Sequence, residues 1–297
     1  MRSAGGFIHG QGSLSNTILE TLSCLSHLLI LSKKPHASNN RSKKLKIKIP
    51  CFKCFTLNGI KEPIFSFLEL GESNIHEIIC TRGHKTSIAL TQHKHEVLFE
   101  IGAMALVDGY PREAIATIAA ALERFYELCI RVISSGMQIP EEQLHAAWRL
   151  IDSASERQFG AFVLSMLLWS KECPKVIDNI KPTLPDTSQR ATKTWKEFRN
   201  AVIHKGLIPS ERVVIEYCEL VYAHINELTK IITQRHEEAW LSEAQKQETL
   251  ARQGNPEKEI VIFGLPTTLF LARGTQAPGS FKEALNQLNG YREIYGR

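Results

Sequence analysis

The chain has 297 residues, 43 % of them hydrophobic and 23 % charged, which is ordinary globular composition with apolar material for one large or two small cores. Its formal net charge is +5, but eight of its lysines and arginines and a single acid, Glu20, fall in the first 50 residues, so that stretch carries +7 and the other 247 residues −2. The basic balance is therefore no argument for nucleic-acid binding by the body of the chain, and the longest apolar stretch near the start, Ile18 to Leu31, is too short and too polar to span a membrane.

Residues 1–44 are rich in Gly, Ser, Asn, Lys and His and end in the low-complexity run Lys33 to Lys44. That composition predicts disorder or a frayed helix. Short alternating or β-branched runs follow: Lys46 to Ile49, Ile64 to Leu70, Ile75 to Ile79 and Thr86 to Leu90. Asn58-Gly59, Gly71 and Arg82-Gly83 part them, and the pattern predicts a small β module over 45–92. At His93 the period lengthens to about 3.6 residues. Val97, Leu98, Ile101, Ala105 and Leu106 predict a first helix, broken at Asp108-Gly109-Tyr110-Pro111. Pro111 suits the first turn of a second helix, where its missing N–H is not needed. Ile115, Ile118, Ala119, Leu122, Phe125, Leu128 and Cys129 give that helix an apolar face, and it runs to about Ser134.

Pro140-Glu141-Glu142 opens a third helix, and Ser155 to Trp169 is a fourth. Prolines make Glu172 to Pro185 a loop. Trp195 to about His204 is a fifth helix, stopped by Gly206 and Pro209, and Ser210 to about Arg252 is a long sixth. The tail, 253–297, holds a strand at Glu259 to Phe263 and a last short helix behind the capping box Ser280-x-x-Glu283. The fold class is mainly α, with a helical domain over 93–252.

Cys51-x2-Cys54 and Cys80-x3-His84 have the spacing of metal ligands. Each pair follows a predicted strand, and a tight turn lets two residues so spaced present two donors to one tetrahedral ion. This is the layout of a zinc ribbon. Four protein donors leave no open position, so Zn²⁺ here is expected to be structural, which suits a module too small to bury much core. His76, His93 and His95 are spare donors. Thiols kept as ligands favour a reducing compartment, the cytoplasm. The competing reading is a metal-free β unit. Cys129, Cys173 and Cys218 lie in apolar helical patterns and read as small buried hydrophobes.

The second constellation is Arg199-Asn200-Ala201-Val202-Ile203-His204. By helical rotation Trp195, Phe198 and Val202 share one apolar face, while Asn200 and His204 stack four apart on the opposite one and Arg199 lies between. An arginine stabilises charge on a phosphate, and a histidine moves protons near neutral pH. The bland reading is a solvated polar helix end. Arg112, Glu123 and Arg124 read first as salt-bridged helix charges.

Two stretches together resemble the HEPN superfamily. One is Ala105-Leu106-Val107-Asp108-Gly109-Tyr110-Pro111-Arg112-Glu113-Ala114-Ile115 with Ala121-Leu122-Glu123-Arg124-Phe125, and the other is Phe198-Arg199-Asn200 through His204-Lys205-Gly206. The resemblance implies a helical bundle and a metal-independent endoribonuclease, with Arg199, Asn200 and His204 at the family's motif positions. It also implies a homodimer with two motifs facing one cleft, an RNA substrate, and a role in toxin–antitoxin or phage defence with a cognate antitoxin or partner subunit. No cofactor is implied for catalysis. The alternative is a non-catalytic HEPN-like module that binds nucleic acid or protein.

Overall fold

Alternation in the N-terminal segment folds into two small sheets. In the computed structural model the described residues are 46–54, 64–69, 75–183, 193–254, 259–263, 269–270 and 279–295. The expectation for residues 1–44 lies outside them, as do the turns at Asn58-Gly59 and Gly71. Strand β1 (Lys46–Pro50) pairs antiparallel with β2 (Phe65–Glu69). Strand β3 (Ile75–Ile79) pairs antiparallel with β4 (Lys85–Leu90). Ser66 ties the sheets together by donating its hydroxyl to the Ile79 carbonyl at 2.7 Å. A small apolar core of Ile49, Leu68, Ile78 and Ile88 sits between them.

The strand expected in the tail, β5 (Ile260–Phe263), joins this module. It pairs parallel with β4, Ser87 against Ile260 through Leu90 against Phe263, and Phe263 enters the same small core. A parallel partner about 170 residues away leaves no local periodic signal.

The helices are α1 (Lys94–Val107), α2 (Pro111–Gly136), α3 (Glu141–Trp148), α4 (Ser155–Ser170), α5 (Trp195–His204), α6 (Glu211–Gln253) and α7 (Phe281–Tyr295). Helix α2 is the hub, packing on α1, α4, α5 and α6. Every apolar residue predicted to face inward from it is buried. Helix α1 departs from expectation. Its buried side is Phe99, Gly102, Ala103, Met104 and Leu106, whereas Val97, Leu98, Ile101 and Ala105 are only half-buried. Apolar residues ring this helix, so its periodicity could not single out the inward face. Cys129 and Cys218 are buried as expected, but Cys173 lies beyond the end of α4 and is exposed.

The chain divides into two compact units, Lys43–Asn289 and a second comprising Met1–Ser42 with Gly290–Arg297. Of the second, only the last turns of α7 are among the described residues. Helix α7 opens with half of the expected capping box: Glu283 N–H donates to Ser280 Oγ at 3.2 Å, while the Glu283 carboxylate accepts the Gly279 N–H, one residue before the cap, at 2.8 Å. Among the described residues no helix is long and apolar enough to cross a membrane.

Candidate functional site

Two sites come from the two constellations. At the end of β1 the chain turns sharply so that Cys51 and Cys54 face one point, and Cys51 N–H is held by the Ile64 carbonyl at 2.7 Å. After β3 a second turn does the same for Cys80 and His84. Cys80 N–H donates to the His84 carbonyl at 3.2 Å, and Gly83 N–H donates to the Cys80 carbonyl at 2.8 Å. Gly83 sits at φ +80°, a conformation that costs a side-chain-bearing residue about 1–2 kcal/mol.

The four donor atoms lie within 4.8 Å of one another. Cys54 Sγ is 3.2 Å from His84 Nδ1 and 3.8 Å from Cys80 Sγ, and Cys51 Sγ is 3.8 Å from His84 Nδ1. All three cysteines are buried. Burial and the adjacent Cys51 and Cys80 push the Cys54 thiol up to about 11. Burial also acts to raise Cys80, but hydrogen bonds from the backbone at His84 and Arg82 outweigh it and bring that thiol down. Three thiols in one buried pocket cannot all ionise without a cation, so the cluster is a site able to hold a metal ion. The spare donors stand elsewhere. His95 is buried with its ring edge-on to Phe125, His93 packs near Trp240, and His76 lies on β3.

The second site is carried by α5. Thr194 caps the helix by accepting the Glu197 N–H at 3.3 Å, and Glu197 accepts the Lys193 N–H at 2.7 Å. Trp195, Phe198 and Val202 are buried, as the rotation predicts. At the other end Gly206, at φ +71°, ends the helix, with Lys205 and Leu207 N–H both donating to the Ala201 carbonyl.

Arg199 turns toward the bundle. Its side chain is 17 % exposed, and the guanidinium lies 3.8 Å from the carboxylate of Asp178, which sits on a single 3-10 turn (Ile177–Asn179) after α4. That turn is held to α5 by Trp195 N–H, which donates to the Ile180 carbonyl at 3.0 Å. Glu123, Tyr126, Glu156 and Gln158 complete the cleft wall with Lys196. The cleft offers about 30 Å³, room for one or two water molecules. Burial raises the Glu123 carboxyl, against the opposing pull of Arg199 and Arg124. Tyr126 shares a hydrogen bond of 3.1 Å with His224 Nε2, whose imidazole burial brings down to about 4.

Asn200 is half-buried and His204 is exposed. Arg199 and His204 are five residues apart, about 140° round the helix and about 7.5 Å along it. The cleft therefore holds Arg199 with Asp178 and Glu123, while His204 stands outside it on the last turn. Beside His204, Arg112 from the first turn of α2 donates to the Ile203 carbonyl at 3.5 Å. Asp178 had no sequence signal, being one acid in an irregular loop. Comparison with protein-family models, with curated proteins and with solved structures finds no match to this chain.

Proposed function

We propose that the chain is a metal-independent endoribonuclease of the HEPN kind, with a zinc-holding β module beside its helical bundle. The observation that supports this best is the placement of α5. One short helix carries a guanidinium in a water-sized cleft and an exposed imidazole one and a half turns later, with a second guanidinium, Arg112, on the same helix end. RNA supplies its own nucleophile. In the reaction His204 takes the 2′-OH proton, the O2′–P bond forms, the P–O5′ bond breaks, and the 5′ oxygen leaves with a proton returned by the imidazole or by water. Arginine stabilises the charge that builds on the phosphoryl oxygens. The products are a 2′,3′-cyclic phosphate and a 5′-OH.

The donor set fits zinc. With thiolates at about 2.3 Å and an imidazole nitrogen at about 2.0–2.1 Å, a tetrahedron has edges of about 3.8 Å between sulfurs and about 3.6 Å between sulfur and nitrogen. The Cys54–Cys80 separation is 3.8 Å, and the two sulfur–nitrogen separations, 3.2 and 3.8 Å, bracket the other edge. Cys51, Cys54, Cys80 and His84 would hold Zn²⁺ with no position open, so its chemistry is that of a staple.

One observation favours the second reading, a non-catalytic HEPN-like module binding nucleic acid or protein. Arg199 already has an acid beside it, in a narrow cleft with about 30 Å³ of free space. Cleavage assays on single-stranded and folded RNA separate the readings. The nuclease cuts with EDTA present, His204→Ala lowers the rate by about a hundredfold to ten-thousandfold, and 2′-O-methylation at the cut site stops cleavage there. A wild-type protein that cuts no RNA, or cuts methylated sites equally well, leaves the binding module.

A further inference from the structure

Arg199 and His204 share α5 but work at opposite ends of it. The Asp178 turn that faces the Arg199 guanidinium is hydrogen-bonded to Trp195, the first residue of α5. Helical side chains lean toward the N-terminus, so the guanidinium is drawn to the helix start, where Lys196 lines the same cleft. His204 is the last residue of the helix and is exposed. A helix with its side chains is about 10–12 Å across, so tips set apart by a rotation of about 140° and a rise of about 7.5 Å stand roughly 12 Å from one another. A phosphate that accepts one hydrogen bond from each side spans only about 8 Å. Within one chain, Arg199 and His204 do not reach the same phosphate.

Arg112 stands closer to the imidazole. It comes from the first turn of α2 and donates to the Ile203 carbonyl at 3.5 Å. That oxygen belongs to the peptide that joins Ile203 to His204, which puts the guanidinium within roughly 6.5 Å of the His204 Cα. The Arg112 side chain is 42 % exposed and meets Glu113, 54 % exposed, at 3.5 Å, so neither is sealed from a ligand. A guanidinium carries five N–H donors in a planar fork. The carbonyl and Glu113 engage two of them and leave others for phosphate oxygens. Arg112 also removes a repulsion. The last carbonyls of a helix carry partial negative charge that opposes an approaching anion. Lys205 and Leu207 N–H both go to the Ala201 carbonyl, and Arg112 meets the carbonyl next to His204.

We propose that Arg112, and not Arg199, is the guanidinium that works with His204, and that the two hold one phosphate of the RNA between them. This rests on the nuclease reading and departs from the arginine that the sequence resemblance implies. As His204 takes the 2′-OH proton, the O2′–P bond forms and the P–O5′ bond breaks. The negative charge that builds on the non-bridging oxygens falls to Arg112, a catalytic residue because it touches the reacting group. Arg199 then acts at its own cleft, on strand binding and not on the bond that breaks.

Two measurements test it, one of them independent of cleavage. Uridine 3′-monophosphate is titrated into the full chain while the ring signals of His204, assigned by their loss in His204→Ala, are followed by NMR. In wild type they shift and saturate. Arg112→Ala weakens that response by about tenfold or more, and by more than Arg199→Ala does. Arg112→Lys, which keeps the charge without the fork, falls between wild type and Arg112→Ala. A salt series separates a phosphate clamp from a helix-end staple, because losing a phosphate contact flattens the salt dependence of binding and losing a staple does not. In RNA cleavage, Arg112→Ala lowers kcat by about a hundredfold to a thousandfold with little change in KM, and Arg199→Ala acts mainly on KM. Where circular dichroism shows Arg112→Ala misfolded, Arg112→Lys carries the same comparison, with kcat below wild type. A His204 response that is absent in wild type, survives Arg112→Ala, or is lost only in Arg199→Ala overturns the proposal. A wild type that cuts RNA no faster than Arg112→Ala also overturns it and leaves the nuclease reading in place. A wild type that binds the nucleotide through Arg112 and His204 but cuts no RNA ends the nuclease reading and keeps the shared phosphate site.

Discussion

The three sulfurs and one imidazole of the β module hold a meaning that no single residue has. Cys51, Cys54 and Cys80 alone are buried thiols. Together with His84 they form a cluster able to hold a metal ion, because two turns bring residues 26 to 33 apart in sequence into contact. Purified protein is expected to carry about one zinc per chain. Cys51→Ser with Cys54→Ser should release it and lower the melting temperature, and elemental analysis that finds the metal retained would refute the assignment. At the other site the neighbouring acid decides what Arg199 can do. Asp178→Asn removes the charge that faces the guanidinium at 3.8 Å. RNA affinity at low salt should rise several-fold in that variant and fall below wild type in Arg199→Ala, as read by filter binding over a salt series. Equal affinities in wild type and both variants would mean that this arginine contacts no phosphate.

Among elements, glycines report which helices approach closely and which face nothing. A Cβ on Gly102 would lie 2.5 Å from Ile118 Cγ1, where α1 crosses α2. A Cβ on Gly136 would lie 2.1 Å from His236 Nδ1. His236 is where α6 breaks its helical geometry, at φ −134° and ψ 45°, and its ring rests on Trp169 from α4. Gly102→Ala and Gly136→Ala should each cost about 1–3 kcal/mol through overpacking, a fall of several degrees in a thermal melt. Gly160→Ala has open space and should not lower stability. A destabilised Gly160→Ala chain alongside tolerated changes at 102 and 136 would show that the helices pack differently.

For the molecule as a whole, buried ionisable groups set the pH range of stability. Burial raises Glu96 to about 8, while its carboxylate accepts the His93 N–H at 2.8 Å in a capping box. A carboxyl whose folded value lies above its unfolded value favours the folded state fully below about pH 4.5 and loses that contribution as pH rises through 8. His224 works the other way. Burial lowers it to about 4, so its contribution is present above 6.5 and is lost as pH falls through 4. Burial lowers His93 and His95 as well, with Glu243 opposing the shift at His93. Stability should therefore be greatest near pH 6.5 and decline toward 8. Glu96→Gln, which keeps an acceptor for the cap, should flatten that decline, and melts from pH 5 to 8 would show it. An unchanged slope in the variant would assign the decline to other groups.

The sequence by itself determined the elements and the two constellations. The helix α5 ends where Gly206 and Pro209 forbid its continuation, its apolar face follows from rotation alone, and the cysteine pairs announce themselves by spacing within a single turn. These are local effects, with backbone sterics and hydrogen bonding acting over a few residues. Only the tertiary structure decided the rest. It set Asp178 against Arg199, sent β5 back to pair with β4, chose the inward face of α1, and left the leucines of α4 in solvent. Each depends on which distant surface a segment packs against, and that choice comes from apolar area and shape summed over the whole bundle. An all-round apolar helix such as α1 or α4 is compatible with either face until its neighbours are in place.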